Sequence, residues 1–403
     1  MAKQKIAYIN TSLGSEFILR EMLELANQGI DLHIFALGKK LADLEKNYPL
    51  LNQLKRPVYY SPYLLSLKIL WAHIYYLAKK PKQYLAVLKE LFTNSNELAF
   101  ILRALAIFPK SVYYAKLIEE QNIRYIHAHW ATTSTASAMI IARLLGLGFS
   151  FTGHAWDIFV DTYGLRQKIK KAKCMVTCTQ FNQKYLITLC ENGFADKIKV
   201  NYHGLNPNHY QPLGSRSNGK FNILAVGRMV EKKGFKYLIE ALHLLKKEGM
   251  EFSAEIIGGN GPAKEEIIAL HRKYQLGDRV KISNHLPHPQ VIEKMKSADV
   301  FVLPCVTLNG NRQDGLPNVF IEALALEVPV ISTDISAIPE LVHNMETGLI
   351  VPPADVLALK EAIKKLYHDP DLRQRLGKAG RQRVCESFDI RKNVAQLAEL
   401  ITA

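Results

Sequence analysis

Apolar and polar residues along this 403-residue chain follow a repeating order. A short apolar run leads into a polar loop, then into a segment with apolar residues three and four apart, then into another short apolar run. The short runs have the length of buried strands and the longer ones the period of amphipathic helices. Ile6–Asn10 opens the series as a strand, a helix is predicted from Phe17 to Gln28 with Gly29 as its stop, and Asp31–Leu37 is the second strand. Arg124–Trp130 begins as a strand, Thr132–Leu145 runs as a helix of small residues, and Gly148–Thr152 and Cys174–Thr179 read as strands. Ile198–His203 and the following Leu205-Asn206-Pro207 mark the turn out of a first domain, 1–210, and the polar run Pro212–Lys220 reads as a linker.

The same order restarts with Phe221–Val226, a helix over Phe235–Leu245 and a strand at Phe252–Ile257. It closes with strands at Asp299–Pro304 and Val328–Ser332 around a helix from Val319 to Leu326, with Pro317 in that helix's first turn. Strand–helix–strand repetition predicts parallel sheets, hence two α/β domains, 1–210 and 211–385, followed by a terminal segment 386–403 with a helix at Ile390–Thr402.

Right-handed crossovers put loops at the carboxyl ends of parallel strands, where open sheets bind ligands. In Asn309–Asp334 this places Gly315 and the amides of Leu316, Pro317 and Asn318 at a helix start suited to an anion such as a diphosphate. Asp314 and Glu322 flank that point, and carboxylates accept hydrogen bonds from sugar hydroxyls, so a nucleotide-sugar is one reading. A loop cap at Asp314 and a surface helix residue at Glu322 are the other. The first strand's loop, with Gly14, Ser15 and Glu16, has neither GxGxxG nor a P-loop. His129 in IHAHW and His154 in FTGHAWD stand at strand ends, where sites form. Asp369-Pro370-Asp371 lies between helical segments and reads as a helix cap, so no metal is assigned to it.

Composition adds three constraints. The chain is 48% hydrophobic, enough for two cores of ordinary size, and its five cysteines suggest cytosolic thiols rather than a disulfide framework. Cys174 and Cys178 lie four apart, with no further pair to complete a zinc set. The first apolar run is too short for a signal peptide. No stretch of about eighteen apolar residues is read, because Lys68, Lys79, Lys80 and Arg103 interrupt the best ones, so a cytoplasmic protein, soluble or peripheral on a membrane, is expected. The formal charge of +15 is uneven: residues 1–200 hold 26 Lys and Arg against 14 Asp and Glu, and so carry +12 of it. That half expects an anionic partner. Val58–Tyr84 mixes aromatics with lysines. It reads as a helix with its aromatic face in the core, or as an interfacial helix with Trp71, Tyr75 and Tyr76 at headgroup level and Lys79, Lys80 and Lys82 on anionic lipid. Base stacking on these aromatics is a third option, unsupported by any RNP, KH or helix-turn-helix pattern.

Asp314–Glu322, the run EALALEVPVISTDISAIPELV at Glu322–Val342 and TGLIVPP at Thr347–Pro353 resemble the Glu-x₇-Glu region of retaining glycosyltransferases of family 4, with Asp for the first Glu. SEFILRE and SFTGHAWDIF look most like exopolysaccharide, colanic-acid-type members. The resemblance implies the GT-B architecture, two Rossmann-like domains facing a cleft, with the last helix crossing back to the first domain. It implies that Arg228 and Lys233 of GRMVEKKG grip the donor diphosphate, that Glu322 holds the ribose and that Asp314 and His154 lie by the transferred sugar. Gly258 and Leu286 would sit near the base, and Gly14 near acceptor or donor phosphate. It also implies a metal-independent reaction without cofactor, on a nucleotide-sugar and a glycan or lipid-linked acceptor, with no nucleic acid. A nucleotide-sugar epimerase of the same architecture and a basic nucleic-acid-binding protein are the competing functions.

Overall fold

The computed structural model describes residues 4–38, 50–62, 66–93, 97–213, 219–308 and 315–402. The chain divides into two compact units: Met1–His203 with Ile390–Ala403, and Gly204–Asp389.

The first unit is built on a seven-stranded sheet. Its strands are β1 (Lys5–Asn10), β2 (Asp31–Ala36), β3 (Val58–Tyr60), β4 (Tyr125–His129), β5 (Gly148–Gly153), β6 (Cys174–Thr177) and β7 (Ile198–Val200), in the order β3-β2-β1-β4-β5-β6-β7. Every pairing is parallel. The central strands read as apolar runs because both faces are covered. Alternate residues of β1 serve different layers: Ala7 and Ile9 pack with α2 (Leu67–Lys79), α3 (Pro81–Thr93), α4 (Leu98–Glu120) and α5 (Thr133–Leu145), while Ile6 and Tyr8 pack with the helices Glu16–Asn27 and Ile390–Thr402. We refer to Glu16–Asn27 as α1. The terminal helix brings Ile390, Val394, Leu397 and Ile401 to this second layer.

Three expectations are corrected in this unit. Val58–Tyr84 is not one helix: it splits into β3, α2 and the start of α3. Pro81, at the first position of α3, explains the break, since its ring fixes φ and supplies no amide hydrogen. On α2, Ile69, Ala72 and Tyr76 face the core, whereas Leu67, Leu70, Trp71, Ile74 and Leu77 form an exposed stripe. Tyr76 is therefore not at a headgroup level, and Lys80 is held by Glu119 at 2.6 Å. Finally, α4 is long and apolar enough to cross a membrane by length and composition, contrary to the reading of Arg103 as an interruption. Its Phe100, Ala104, Phe108, Val112, Tyr114, Ala115 and Ile118 are buried in the unit's core.

The second unit has a six-stranded parallel sheet in the order β10-β9-β8-β11-β12-β13, with β8 (Phe221–Val226), β9 (Phe252–Ile257), β10 (Val280–Ser283), β11 (Val300–Val302), β12 (Val330–Thr333) and β13 (Gly348–Val351). This is the doubly wound order, which reverses direction between β8 and β11. Its helices include α6 (Phe235–Lys247), α7 (His288–Lys296), α8 (Asn318–Ala325) and α9 (Pro370–Ser387). Pro317 stands just before α8 rather than within its first turn. Asp369 caps α9, accepting from the Leu372 amide at 2.8 Å, which is the helix-cap role read from Asp369-Pro370-Asp371. The five cysteines, all among the described residues, form no disulfide.

Candidate functional site

In the second unit three loops converge at the carboxyl edge of the sheet. The segment after β8 carries Gly227, Arg228, Lys233 and Gly234; that after β9 carries Gly258; that after β11 carries Cys305 and Val306. They are tied by backbone bonds, Ala263 N to Met229 O at 3.0 Å and Val306 N to Lys232 O at 2.9 Å. Side chains of β12 add to this, Ser332 donating to Leu303 O and Thr333 to Cys305 O. Gly234 is required twice over: its φ is +70°, and a Cβ there would sit 1.8 Å from Pro304 O. Gly258 is required by closeness alone, since a Cβ would meet Gly227 O at 2.4 Å. Lys233 is buried with its stem beside Gly227, and Arg228 is exposed.

Glu322, on α8, is only 6% exposed, which removes the reading of a surface helix residue. His288 Nε2 lies 2.9 Å from its Oε1, and because a carboxylate only accepts, that ring nitrogen donates. His288, at the first position of α7, was not singled out from the sequence; its neighbour Leu286, half-buried in the loop after β10, was. Gly315 and Leu316 are half-buried ahead of α8, Pro317 is buried and Asn318 is exposed. Asp314 lies outside the described residues. Arg228, Lys233, Gly258, Leu286, Glu322 and Gly315–Asn318 thus all belong to the second unit's carboxyl-edge loops and α8.

Gly14 and His154 belong to the first unit. Gly14 is half-buried in the loop after β1, which is fastened to the start of α5 by the Thr11 and Ser134 hydroxyls, 2.8 Å apart. His154 is buried, and both of its ring nitrogens are occupied: Nε2 lies 2.6 Å from His129 Nε2 and Nδ1 lies 2.8 Å from His203 Nε2. His129 Nδ1 in turn lies 2.5 Å from the Tyr8 hydroxyl, which donates to Glu21 Oε1 at 2.6 Å. Asp157 fixes the surrounding loops by accepting from the amides of Ala131 at 2.7 Å and His154 at 2.9 Å. Lys168 donates to the carbonyls of Ala131 and Tyr163, and burial lowers its ammonium pKa to about 8.

The electrostatics follow from burial. Desolvation holds His203 down at about 4 and His154 well below the usual imidazole range. Burial alone would raise Glu21, but the charge and hydrogen bond of His129, helped by His127 and Tyr8, hold it at about 2. His154, Cys178 and His203 offer ligand atoms close enough for a metal, as do Glu21, His127 and His129. Two imidazole nitrogens on one tetrahedral zinc stand about 3.3 Å apart. The 2.6 and 2.8 Å separations around His154 are instead those of nitrogens sharing a proton. Tyr8, Glu21, Asp157, Lys168 and His203 were missed in the sequence. Glu21 had a signal: it falls on the apolar stripe of α1 between Ile18 and Leu25, where a carboxylate needs a partner.

Residues 212–383, within the second unit, match the family described as "Glycosyl transferases group 1". The Escherichia coli (strain K12) protein named for colanic acid biosynthesis as glycosyltransferase WcaL is 33% identical over 210 residues, 52% of each chain. The chain thus spans about half the length of this relative and of its Salmonella typhimurium namesake. The capsular polysaccharide biosynthesis glycosyltransferase CapM of Staphylococcus aureus is 26% identical over 402 residues, covering 96% of this chain and 94% of that one. Anabaena HepE, solved in complex with UDP, superposes with a TM-score of 0.72 at 16% identity over 99% of each chain. The second unit thus carries the match to glycosyl transferases group 1, and the chain's two parallel-sheet units have the GT-B fold.

Proposed function

We propose that this chain is a retaining glycosyltransferase of family 4 that moves a hexose from a nucleotide-sugar to a glycan acceptor, lipid-linked, during assembly of an exopolysaccharide or other cell-surface polysaccharide. The observation that carries this reading is the carboxyl edge of the second sheet, where Lys233 and Arg228 stand on one tightly packed loop and the buried carboxylate of Glu322 on α8. A bidentate cation and a point charge suit a departing diphosphate, and a desolvated carboxylate suits paired ribose hydroxyls. Relatives named for colanic acid and capsular polysaccharide, and a fold neighbour solved with UDP, support the same substrate class.

Two cationic side chains supply the charge a metal would otherwise bring, so the reaction needs no metal and no cofactor in this reading. No enzymic nucleophile is assigned: front-face departure lets the leaving phosphate take the acceptor's proton. The protein works at the cytoplasmic face of a membrane that holds its acceptor.

The experiment is incubation with a panel of nucleotide-sugars, following nucleotide release with and without chelator. Donor hydrolysis or transfer that survives chelation is expected, with Arg228→Ala and Lys233→Ala each slowing turnover by roughly 10²–10³, the scale of one lost electrostatic stabiliser. Sugar isomerisation without transfer would replace this reading with an epimerase. Salt-sensitive oligonucleotide binding without turnover would replace it with a nucleic-acid-binding protein.

A further inference from the structure

Five side chains of the first unit form one hydrogen-bonded row: Glu21, Tyr8, His129, His154 and His203. They come from α1, β1, the end of β4, and the segments after β5 and β7. Four are buried, and the fifth, His203, is half-buried. Ring contacts with Phe17 hold the imidazoles in place, at 5.2 Å for His154 and 4.8 Å for His203.

Such a row admits few proton arrangements. An ionised carboxylate only accepts, so Tyr8 donates to Glu21, and its oxygen must then accept from His129 Nδ1–H. If His129 is neutral, its Nε2 is bare and accepts from His154 Nε2–H. His154 Nδ1 is then bare and accepts from His203 Nε2–H, which leaves His203 Nδ1 without a proton. One proton added to His129 reverses the sequel. His129 Nε2–H donates to His154, His154 Nδ1–H donates to His203 Nε2, and His203 Nδ1 carries the hydrogen.

We infer that His203 is a ligand-facing group of the first unit whose Nδ1 accepts a hydrogen bond from a substrate hydroxyl, and that Glu21, Tyr8, His129 and His154 are positioning residues that set this polarity. His154 acts through His203, because its own nitrogens are both engaged. A bare imidazole nitrogen selects a neutral hydroxyl donor over an anion, which has no hydrogen to give. That this hydroxyl belongs to a sugar rests on the proposed glycosyl transfer; the polarity of the row does not.

The titratable groups facing the row are Tyr8 from β1, Glu21 from α1, His127 from β4, Asp157 from the segment after β5 and Cys178 from the end of β6. His127 is neutral in its burial, pushed down to about 3, and is bound to the Ser150 and Thr152 hydroxyls, so it does not exchange protons with the row.

The test is ¹⁵N NMR of histidine-labelled full-length protein, which reads each ring's tautomer without any substrate. At pH 8 the expected pattern is Nδ1–H at His129 and Nε2–H at both His154 and His203. On acidification, His154 and His203 should change to Nδ1–H together, because each shares a proton with its neighbour in the row. In Glu21→Gln, which removes the buried carboxylate at the end of the row, that joint change should move to lower pH. An Nδ1–H form of His203 at pH 8, or His203 changing tautomer independently of His154, overturns the inference; the wild-type spectrum decides this even if the variant does not fold. The same pH should govern kcat in the donor assay and move with Glu21→Gln, while donor KM stays within about twofold. If the tautomers behave as expected and no nucleotide-sugar is turned over, the functional reading fails and the row stands.

Discussion

At the scale of single residues, burial has turned side chains of ordinary chemistry into specific ones. Glu322 is the one acidic residue of its helix, and its 6% exposure makes the His288 bond a contact of a buried carboxylate. The same logic makes stability depend on pH. His203 and His127 have native pKa values near 4 and 3 against about 6.5 in the unfolded chain, so between those values the unfolded state binds more protons. Their contribution is present above pH 6.5 and is lost as pH falls through the native values. Glu21, held near 2, adds a loss below about 4.5 with the same sign. Unfolding free energies from urea titrations should be level from pH 7.5 to about 6.5 and then fall by about 1–3 kcal/mol per pH unit down to pH 4.5. A flat profile would show that these imidazoles are not desolvated. Arg228 and Lys233 were legible through the family resemblance of GRMVEKKG, made specific by the strand before it and the helix after. His288 was not, because nothing local marks which loop will deliver a donor to Glu322.

At the scale of elements, periodicity located most strands and helices, and it failed where a segment serves two environments. Val58–Tyr84 looked uniform because its aromatics and lysines are evenly mixed, yet the chain breaks at Pro81 and α2 turns one face inward and one outward. The α4 helix carries apolar residues around much of its circumference, so no face could be read from its pattern. The terminal helix is the opposite case: its apolar residues recur at Ile390, Val394, Leu397 and Ile401, one stripe, and that stripe packs in the layer with α1. Truncating Leu397, 1% exposed, to Ala should destabilise the first unit by about 2–5 kcal/mol. Proteolysis or hydrogen exchange resolved by unit would check it, and loss confined to the second unit would contradict the packing.

At the scale of the molecule, charge and exposed apolar surface coincide in the first unit. Residues 1–200 carry +12 of the net +15, and the α2 stripe of Leu67, Leu70, Trp71, Ile74 and Leu77 is flanked by the exposed Lys68, Lys79 and Lys82. An anionic bilayer complements both features, each basic residue near the surface contributing about 1 kcal/mol. The protein should sediment with vesicles containing acidic lipid and much less with neutral ones. Lys82→Ala and Trp71→Ser should weaken that binding, whereas Lys80→Ala, which breaks the pair with Glu119, should act on stability instead. Equal sedimentation on both kinds of vesicle, or on neither, would leave the stripe without a lipid role.

The sequence by itself determined the α/β class, the two-domain division and most of the strands, and its resemblance to a family singled out the Arg228–Lys233 loop and the Asp314–Glu322 spacing. The class, the division and the strands are encoded locally, in apolar period and in glycine and proline placement. Only the tertiary structure decided that Glu322 is buried against His288, that Tyr76 and Lys80 turn inward, and that His154 is enclosed between His129 and His203. Those outcomes join residues 25 to 49 positions apart, and the row that holds His154 also joins Tyr8 and His129, 121 apart. Partners at such separations are set by which strand ends the crossovers bring together, and no local pattern of side chains records that.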